Sequence, residues 1–153
     1  MLGIVYSSKT GNTEILANNL SLLDCAYTKK VREVDDIGQV DILCVGFWVL
    51  CGDADMETRK FLETLKNQKI FLFGTSGHHR DTEYGKIVLE NIKTHVDGSN
   101  EIVGFYMCQG KMNLADREKF KDDPEKLRNF EASLSHPNNQ DISDLLKSIN
   151  SID

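Results

Sequence analysis

The chain has 153 residues, of which 40% are hydrophobic and 27% are charged, and its formal net charge is −6. These values are typical of a globular protein, and we expect residues 1–153 to form a single domain. The negative charge argues against a nucleic-acid partner, because binding to nucleic acid depends on Lys and Arg contacts with phosphates. The sequence has no run of about 18 apolar residues that would span a bilayer, and it does not begin with a signal-peptide pattern. We therefore expect a cytoplasmic protein with no membrane partner.

The first half of the sequence alternates apolar runs with helical patterns. Residues 2–6 predict a first strand, and helical spacing of apolar residues over 12–23 predicts a first helix. Residues 31–34 predict a second strand at an edge of the sheet, where interrupting charges are tolerated. Residues 41–48 are almost continuously apolar and predict a central strand that is covered on both faces. Residues 57–66 predict an amphipathic helix.

The second half continues the alternation. Residues 69–74 predict another buried strand, residues 82–96 an amphipathic helix, and residues 101–107 a further strand. Helical patterns follow at residues 112–121, 124–134 and 141–149. Strands that alternate with helices favour parallel βαβ units, so we predict an α/β three-layer sandwich.

The four cysteines, Cys25, Cys44, Cys51 and Cys108, lie far apart in the sequence. None belongs to a C-x-x-C pair or has a histidine at ligand spacing, so we expect reduced thiols and no metal site. Cys44 lies in an apolar run, and we interpret it as a core residue because free cysteines are usually buried.

The loop between the first strand and the first helix is rich in hydroxyl and amide groups. Its sequence is Ser7-Ser8-Lys9-Thr10-Gly11-Asn12-Thr13. Unpaired N–H groups and a partial charge of about +0.5 at a helix N-terminus favour anions, and Ser and Thr side chains add donors. The pattern therefore favours a site for a terminal phosphate. The alternative is a plain capping loop, because Ser, Thr and Asn are common N-caps.

Three related nucleotide or phosphate sites lack support in the sequence. The P-loop string G-x-x-x-x-G-K-S/T is absent, and the dinucleotide fingerprint G-x-G-x-x-G does not follow the first strand. A response-regulator receiver requires acidic residues at the ends of the first and third strands, where this chain has Tyr6 and Gly46-Phe47-Trp48.

Residues 8–13 match the flavodoxin phosphate loop, S/T-x-S/T-G-x-T, at the end of an N-terminal strand. The chain resembles the flavodoxin family over nearly its whole length, and in particular the subfamily associated with bilirubin reductase. The strings that carry this further resemblance are Val45-Gly46-Phe47-Trp48-Val49, Phe73-Gly74-Thr75 and Cys108-Gln109-Gly110-Lys111. The resemblance implies a five-stranded parallel sheet with strand order 2-1-3-4-5, and FMN as the cofactor.

The resemblance also implies which residues hold the FMN phosphate, namely Ser8, Thr10, Gly11, Asn12 and Thr13. Lys9 is expected to point to solvent or to the outer face of the phosphate. Gln109 and Gly110 are expected to contact the flavin ring or to close over it. The chain departs from ordinary flavodoxins at Gly77-His78-His79-Arg80, which lacks their aromatic-plus-acidic signature.

The flavin ring is expected at the loops that follow the first, third and fourth strands, because ligands of open α/β sheets bind at the switch in strand order. These loops are residues 7–13, 47–53 and 75–81. The chain's only Trp, Trp48, is predicted to stack on the flavin, with a core-rim aromatic as the alternative. Asp53 and Asp55 near the ring edge predict a low-potential flavin, or else a solvated pair at the start of a helix.

His78-His79 is interpreted as an exposed turn, with titration near the flavin as the alternative. The complete set of predicted cofactor-binding residues is Ser7, Ser8, Lys9, Thr10, Gly11, Asn12, Thr13, Gly46, Phe47, Trp48, Val49, Gly52, Thr75, Ser76, Gly77, His78, Gln109 and Gly110. No catalytic residue is predicted, since no nucleophile–base constellation is evident.

Three functional hypotheses follow. The first is an FMN-binding redox shuttle that docks transiently on a reductase and an acceptor, with its acidic surface steering a basic partner. By the subfamily resemblance that acceptor would be a bilin reductase. The second is an FMN-dependent NAD(P)H:quinone-type oxidoreductase, and the third is a flavin-free interaction domain that keeps only the fold.

Overall fold

A parallel sheet forms the centre of the computed structural model, which describes residues 1–78 and 82–152. Its strands are β1 (Leu2–Tyr6), β2 (Cys25–Lys30), β3 (Ile42–Leu50), β5 (Lys69–Ser76) and β6 (Glu101–Gln109), and the two-residue β4 (Asp53–Ala54) pairs antiparallel with the end of β3. The parallel strands lie in the order β2-β1-β3-β5-β6. This arrangement confirms the predicted five-stranded sheet with order 2-1-3-4-5, to which β4 adds a short hairpin.

Helices cover both faces of the sheet. They are α1 (Asn12–Leu20), α2 (Met56–Glu63), α3 (Thr82–Lys93), α4 (Pro124–Ser133) and α5 (Asn139–Asn150). One core cluster joins Leu16 of α1 and Leu145 of α5 to one face, and a second joins Leu62 of α2 and Val88 of α3 to the other. In the described part of the chain, none of the helices has the length and apolar character needed to cross a membrane.

The second strand lies earlier in the sequence than predicted. The predicted strand at residues 31–34 is wrong, because Val31–Glu33 forms a 3₁₀ turn and β2 ends at Lys30. Lys30 pairs with Tyr6, the last residue of β1, so a longer β2 would have no partner strand beside it. A second 3₁₀ segment, Leu114–Phe120, occupies the region predicted as a helix over 112–121.

Two glycines let aromatic rings lie over the backbone at the centre of the sheet. Gly46 of β3 pairs with Phe73 of β5, and Phe47 pairs with Gly74. A Cβ atom on Gly46 would lie 2.5 Å from the Phe73 ring, and one on Gly74 would lie 2.3 Å from the Phe47 ring. These reciprocal pairs fix the ends of β3 and β5, which carry Trp48 and Thr75 one residue further on.

All four cysteines are free thiols. Cys44 is fully buried in the core, as predicted. Burial disfavours its thiolate and raises the pKa of Cys44 to about 12, so this cysteine is an inert packing residue.

Candidate functional site

The loop between β1 and α1 presents unpaired backbone donors. Gly11 ends the loop with a φ of 96°, a left-handed conformation that favours glycine. Ser8 Oγ accepts hydrogen bonds from the N–H groups of Gly11 (3.2 Å) and Glu14 (3.3 Å). The N–H groups of Thr10, Asn12 and Thr13 donate to no acceptor within the described residues. The start of α1 therefore keeps several donors available for an anion.

Thr13 connects α1 to the sheet. Its side chain is fully buried, and its Oγ1 donates to the carbonyl of Phe47 (2.9 Å) and lies 3.0 Å from Thr75 Oγ1. Asn12 connects the same helix turn to the segment after β6, since its Nδ2 donates to the carbonyl of Lys111 (3.0 Å). Gly110 is required at this contact, because a Cβ atom there would lie 2.6 Å from Asn12 Nδ2.

A cleft of about 380 Å³ opens at the carboxyl ends of β1, β3, β5 and β6. This first cleft is lined by Ser8, Lys9, Thr10, Asn12, Thr13, Trp48, Val49, Thr75, Ser76, Gly77, Gly110, Lys111, Met112, Asn113, Asp116 and Lys119. The position follows the general rule for ligand sites of open α/β sheets. Hydroxyls from α1 and β5 and a single indole therefore meet in one cavity.

The first cleft has a positive charge that the sequence analysis did not anticipate. Lys9 is exposed, and its Nζ lies over the indole of Trp48, 5.3 Å from the ring centre. Lys111 and Lys119 join it in the lining, and Asp116 pairs with Lys119 at 2.9 Å. Among the described residues, Lys9 and Lys111 form no ion pair, which suits an anionic ligand in this cleft.

The loop after β3 is shorter than predicted. Strand β3 continues to Leu50, and Cys51 and Gly52, with φ values of 53° and 76°, form a two-residue turn into β4. Positive φ at both turn residues is typical of a tight hairpin whose twist matches its strands. Arg59 Nη2 donates to the Leu50 carbonyl (3.2 Å), and Asn91 Nδ2 donates to the Gly52 carbonyl (2.8 Å). The hairpin is therefore held by side chains of α2 and α3.

Asp53 and Asp55 have structural partners. Asp55 is buried and caps α2, accepting from Thr58 N–H (3.2 Å) and from Trp48 N–H (3.2 Å). Asp53 Oδ2 lies 2.8 Å from His95 Nε2 and 3.6 Å from Arg59 Nε. These contacts favour the helix-start interpretation over a carboxylate pair that sets the flavin potential, although Asp55 is buried rather than solvated.

A second cleft, of about 1400 Å³, adjoins the first and shares Val49, Ser76, Gly77 and Met112 with it. His78 and Tyr84, whose ring centres are 5.0 Å apart, line it together with Phe120 and residues of α4. The sequence after β6 is rich in charged residues and has helical spacing. Nothing in that pattern indicated that this segment forms a wall of the second cleft.

The structure brings most of the predicted cofactor-binding residues together. Eleven line the first cleft, namely Ser8, Lys9, Thr10, Asn12, Thr13, Trp48, Val49, Thr75, Ser76, Gly77 and Gly110. His78 lines the second cleft, and the residues that line neither are Ser7, Gly11, Gly46, Phe47, Gly52 and Gln109. Gly46 and Phe47 lie in the core, because they pack against Phe73 and Gly74 of β5. His79 and Arg80 lie outside the described residues.

Tyr6, the last residue of β1, holds the start of α1 in place. Its hydroxyl donates to Glu14 Oε2 (3.0 Å) in the first turn of α1. Burial and this hydrogen bond raise the pKa of Tyr6 to about 12. The phenol therefore stays protonated at neutral pH and acts as a fixed donor beneath the loop.

Residues 3–150 match the family model described as a flavodoxin domain, and the chain belongs to the flavodoxin family. It is 36% identical over 155 residues to the flavodoxin-like domain-containing protein BilS of Clostridioides difficile (strain CD3), covering 91% of this chain and 88% of that protein. The BilS protein of Clostridium symbiosum (strain WAL-14163) is 28% identical over 169 residues, covering 92% of this chain and 89% of that protein.

Solved structures show the same fold. The two-electron reduced flavodoxin of Megasphaera elsdenii has a TM-score of 0.53 at 20% identity, with 88% of this chain and 99% of that chain covered. A flavoprotein in complex with FMN from Lactobacillus acidophilus NCFM has a TM-score of 0.53 at 16% identity, with coverages of 77% and 96%.

Proposed function

We propose that this chain binds FMN in the first cleft and carries electrons between a reductase and an acceptor protein. The observation that carries the proposal is the set of N–H groups of Thr10, Asn12 and Thr13, at and just before the start of α1, that have no acceptor among the described residues. Thr10, Asn12, Thr13, Lys9 and Lys111 all line the same cleft. Amide donors and cations together match the chemistry of a terminal phosphate.

The chemistry of the donor set fits FMN. Thr10 and Asn12 would hold the phosphate, while Ser8 Oγ organises the loop by accepting the Gly11 N–H. Trp48 would contact the flavin ring, where stacking contributes about 1 kcal/mol beyond area burial. Lys9 Nζ lies over the indole, so stacking of the flavin on that face would require this side chain to move. FMN itself would supply the reversible uptake and release of electrons.

Flavin binding is tested by an absorbance spectrum of protein purified without added flavin, followed by titration with FMN. The chain has one Trp, which lines the first cleft, so we expect its fluorescence to be quenched in a stoichiometric titration. Protein that is colourless as purified and takes up no FMN would contradict the proposal and favour the flavin-free interaction domain.

A second candidate function is an FMN-dependent NAD(P)H:quinone-type oxidoreductase. The large second cleft favours it, because that cleft adjoins the first and offers room for another ligand. Anaerobic addition of NADPH to the FMN-loaded protein separates the two functions. A shuttle keeps its yellow band for minutes, whereas an oxidoreductase loses it rapidly.

The acceptor that we propose is a bilin reductase. This step is supported by the likeness to the two BilS proteins and by the subfamily resemblance of the sequence strings. The formal net charge of −6 favours a partner with a basic docking surface, and association would then slow as salt is raised.

A further inference from the structure

Two side-chain amides meet on one backbone carbonyl behind the loop that follows β5. Gln109 Nε2, at the end of β6, donates to the Gly77 carbonyl (3.0 Å), and Asn129 Nδ2, on α4, donates to the same oxygen (3.0 Å). Gln109 Nε2 also lies 3.2 Å from the Asn129 carbonyl. Gln109 is only 2% exposed, and a buried amide that loses its hydrogen-bond partner destabilises the fold.

The same peptide unit is held at its other end. The peptide bond between Gly77 and His78 has its carbonyl bound by the two amides, and its N–H donates to Ser76 Oγ (3.2 Å). Rotation of this peptide would therefore break three hydrogen bonds. Gly77 lines both clefts, so a fixed peptide here fixes the surface that meets the flavin ring.

The helix that carries Asn129 is itself anchored. Phe130 is fully buried, and Ser133 Oγ accepts the N–H of Met112 (3.2 Å). Met112 packs against the loop, since a Cβ atom on Gly77 would lie 3.0 Å from its Cγ. The segment after β6 and α4 therefore support the loop as one packed unit.

We propose that Asn129 is a positioning residue for the cofactor site, which with Gln109 fixes the peptide between Gly77 and His78 in the wall that the two clefts share. This inference rests on the proposed function, because it concerns how the ring part of that site is shaped. Without the Asn129 amide, Gln109 Nε2 alone would hold the Gly77 carbonyl. The peptide would then be less firmly fixed in the wall that should meet the flavin ring.

The test compares Asn129→Ala and Asn129→Leu with the wild type and with Asn18→Ala, a matched control at an exposed position on α1. We expect both Asn129 variants to weaken FMN binding about tenfold and to shift the midpoint potential of bound FMN. Hydrogen exchange at the His78 amide should accelerate in the flavin-free protein. Asn18→Ala should match the wild type in all three measurements.

The outcomes are distinguishable from failure of FMN binding itself. If the wild type takes up no FMN, the proposed function fails. Hydrogen exchange at the His78 amide still tests, in the flavin-free protein, whether Asn129 fixes the peptide between Gly77 and His78. If the folded Asn129 variants keep wild-type affinity, potential and exchange rates, the proposal is overturned. The leucine variant keeps the branched shape of asparagine without its amide and leaves no cavity, so it provides the same readout if the alanine variant does not fold.

Discussion

Thr10→Asp is expected to weaken FMN binding by about 100-fold or more. Thr10 is exposed, lines the first cleft and has an N–H group with no acceptor in the described part of the chain, so the substitution places a carboxylate where the phosphate should bind. Two unit charges of like sign at 4 Å repel by about 4 kcal/mol at an effective dielectric constant of about 20, and about 1.4 kcal/mol corresponds to a tenfold change in affinity. Titration of Trp48 fluorescence with FMN measures the effect.

Thr10→Asn is the matched control, because it has nearly the same size as the aspartate variant and no charge. We expect its affinity to stay within about tenfold of the wild type, which is the contribution of roughly one hydrogen bond. Equal affinities for the aspartate and asparagine variants would show that no phosphate lies beside Thr10, and would place the ligand elsewhere.

Gly74→Ala is expected to destabilise the fold by about 2 to 3 kcal/mol, the cost of overpacking a close-packed core. The new methyl group would lie 2.3 to 2.6 Å from three carbons of the Phe47 ring. Phe47 is fully buried and stacks on Phe105 at 6.0 Å between ring centres, so the ring has nowhere to move. Thermal unfolding should show a Tm lower by about 5 to 10 °C for a chain of this size.

Gly98→Ala is the control for this prediction. A Cβ atom on Gly98 has no heavy atom within 4 Å, so the alanine should change the free energy of unfolding by less than about 0.5 kcal/mol. If the two alanine variants unfold at the same temperature, the close packing of Gly74 against Phe47 is not needed for the stability of the fold.

The parts of the fold that follow from local patterns were predictable from the sequence. Continuous apolar runs predicted β3 and β5, because central strands of a parallel sheet are buried on both faces. The phosphate loop was equally visible, since residues 7–13 follow directly after β1 and need no distant partner. Two of its three available N–H groups, those of Asn12 and Thr13, belong to the first turn of α1, which the helical spacing had located.

The remaining features depend on contacts between distant segments. Strand β2 was misplaced because its end is set by the end of β1 across the sheet, and not by its own residues. The cation of Lys9 over Trp48 joins positions 39 residues apart. Asn129 reaches Gly77 over 52 residues, and neither residue type predicts the other. Long-range contacts of this kind shape the part of the cleft where we expect the flavin ring. The location of the cleft follows from the loop at residues 7–13, which the sequence alone indicated.

The central claim is that backbone donors at the start of α1 hold a terminal phosphate. It is tested most directly by measuring the Kd of FMN and of riboflavin side by side, because riboflavin has the same ring and lacks only the phosphate. The account predicts that FMN binds at least about 100-fold more tightly, since hydrogen bonds to a charged group each contribute about 1.5 to 3 kcal/mol. Equal affinities for the two flavins would contradict it.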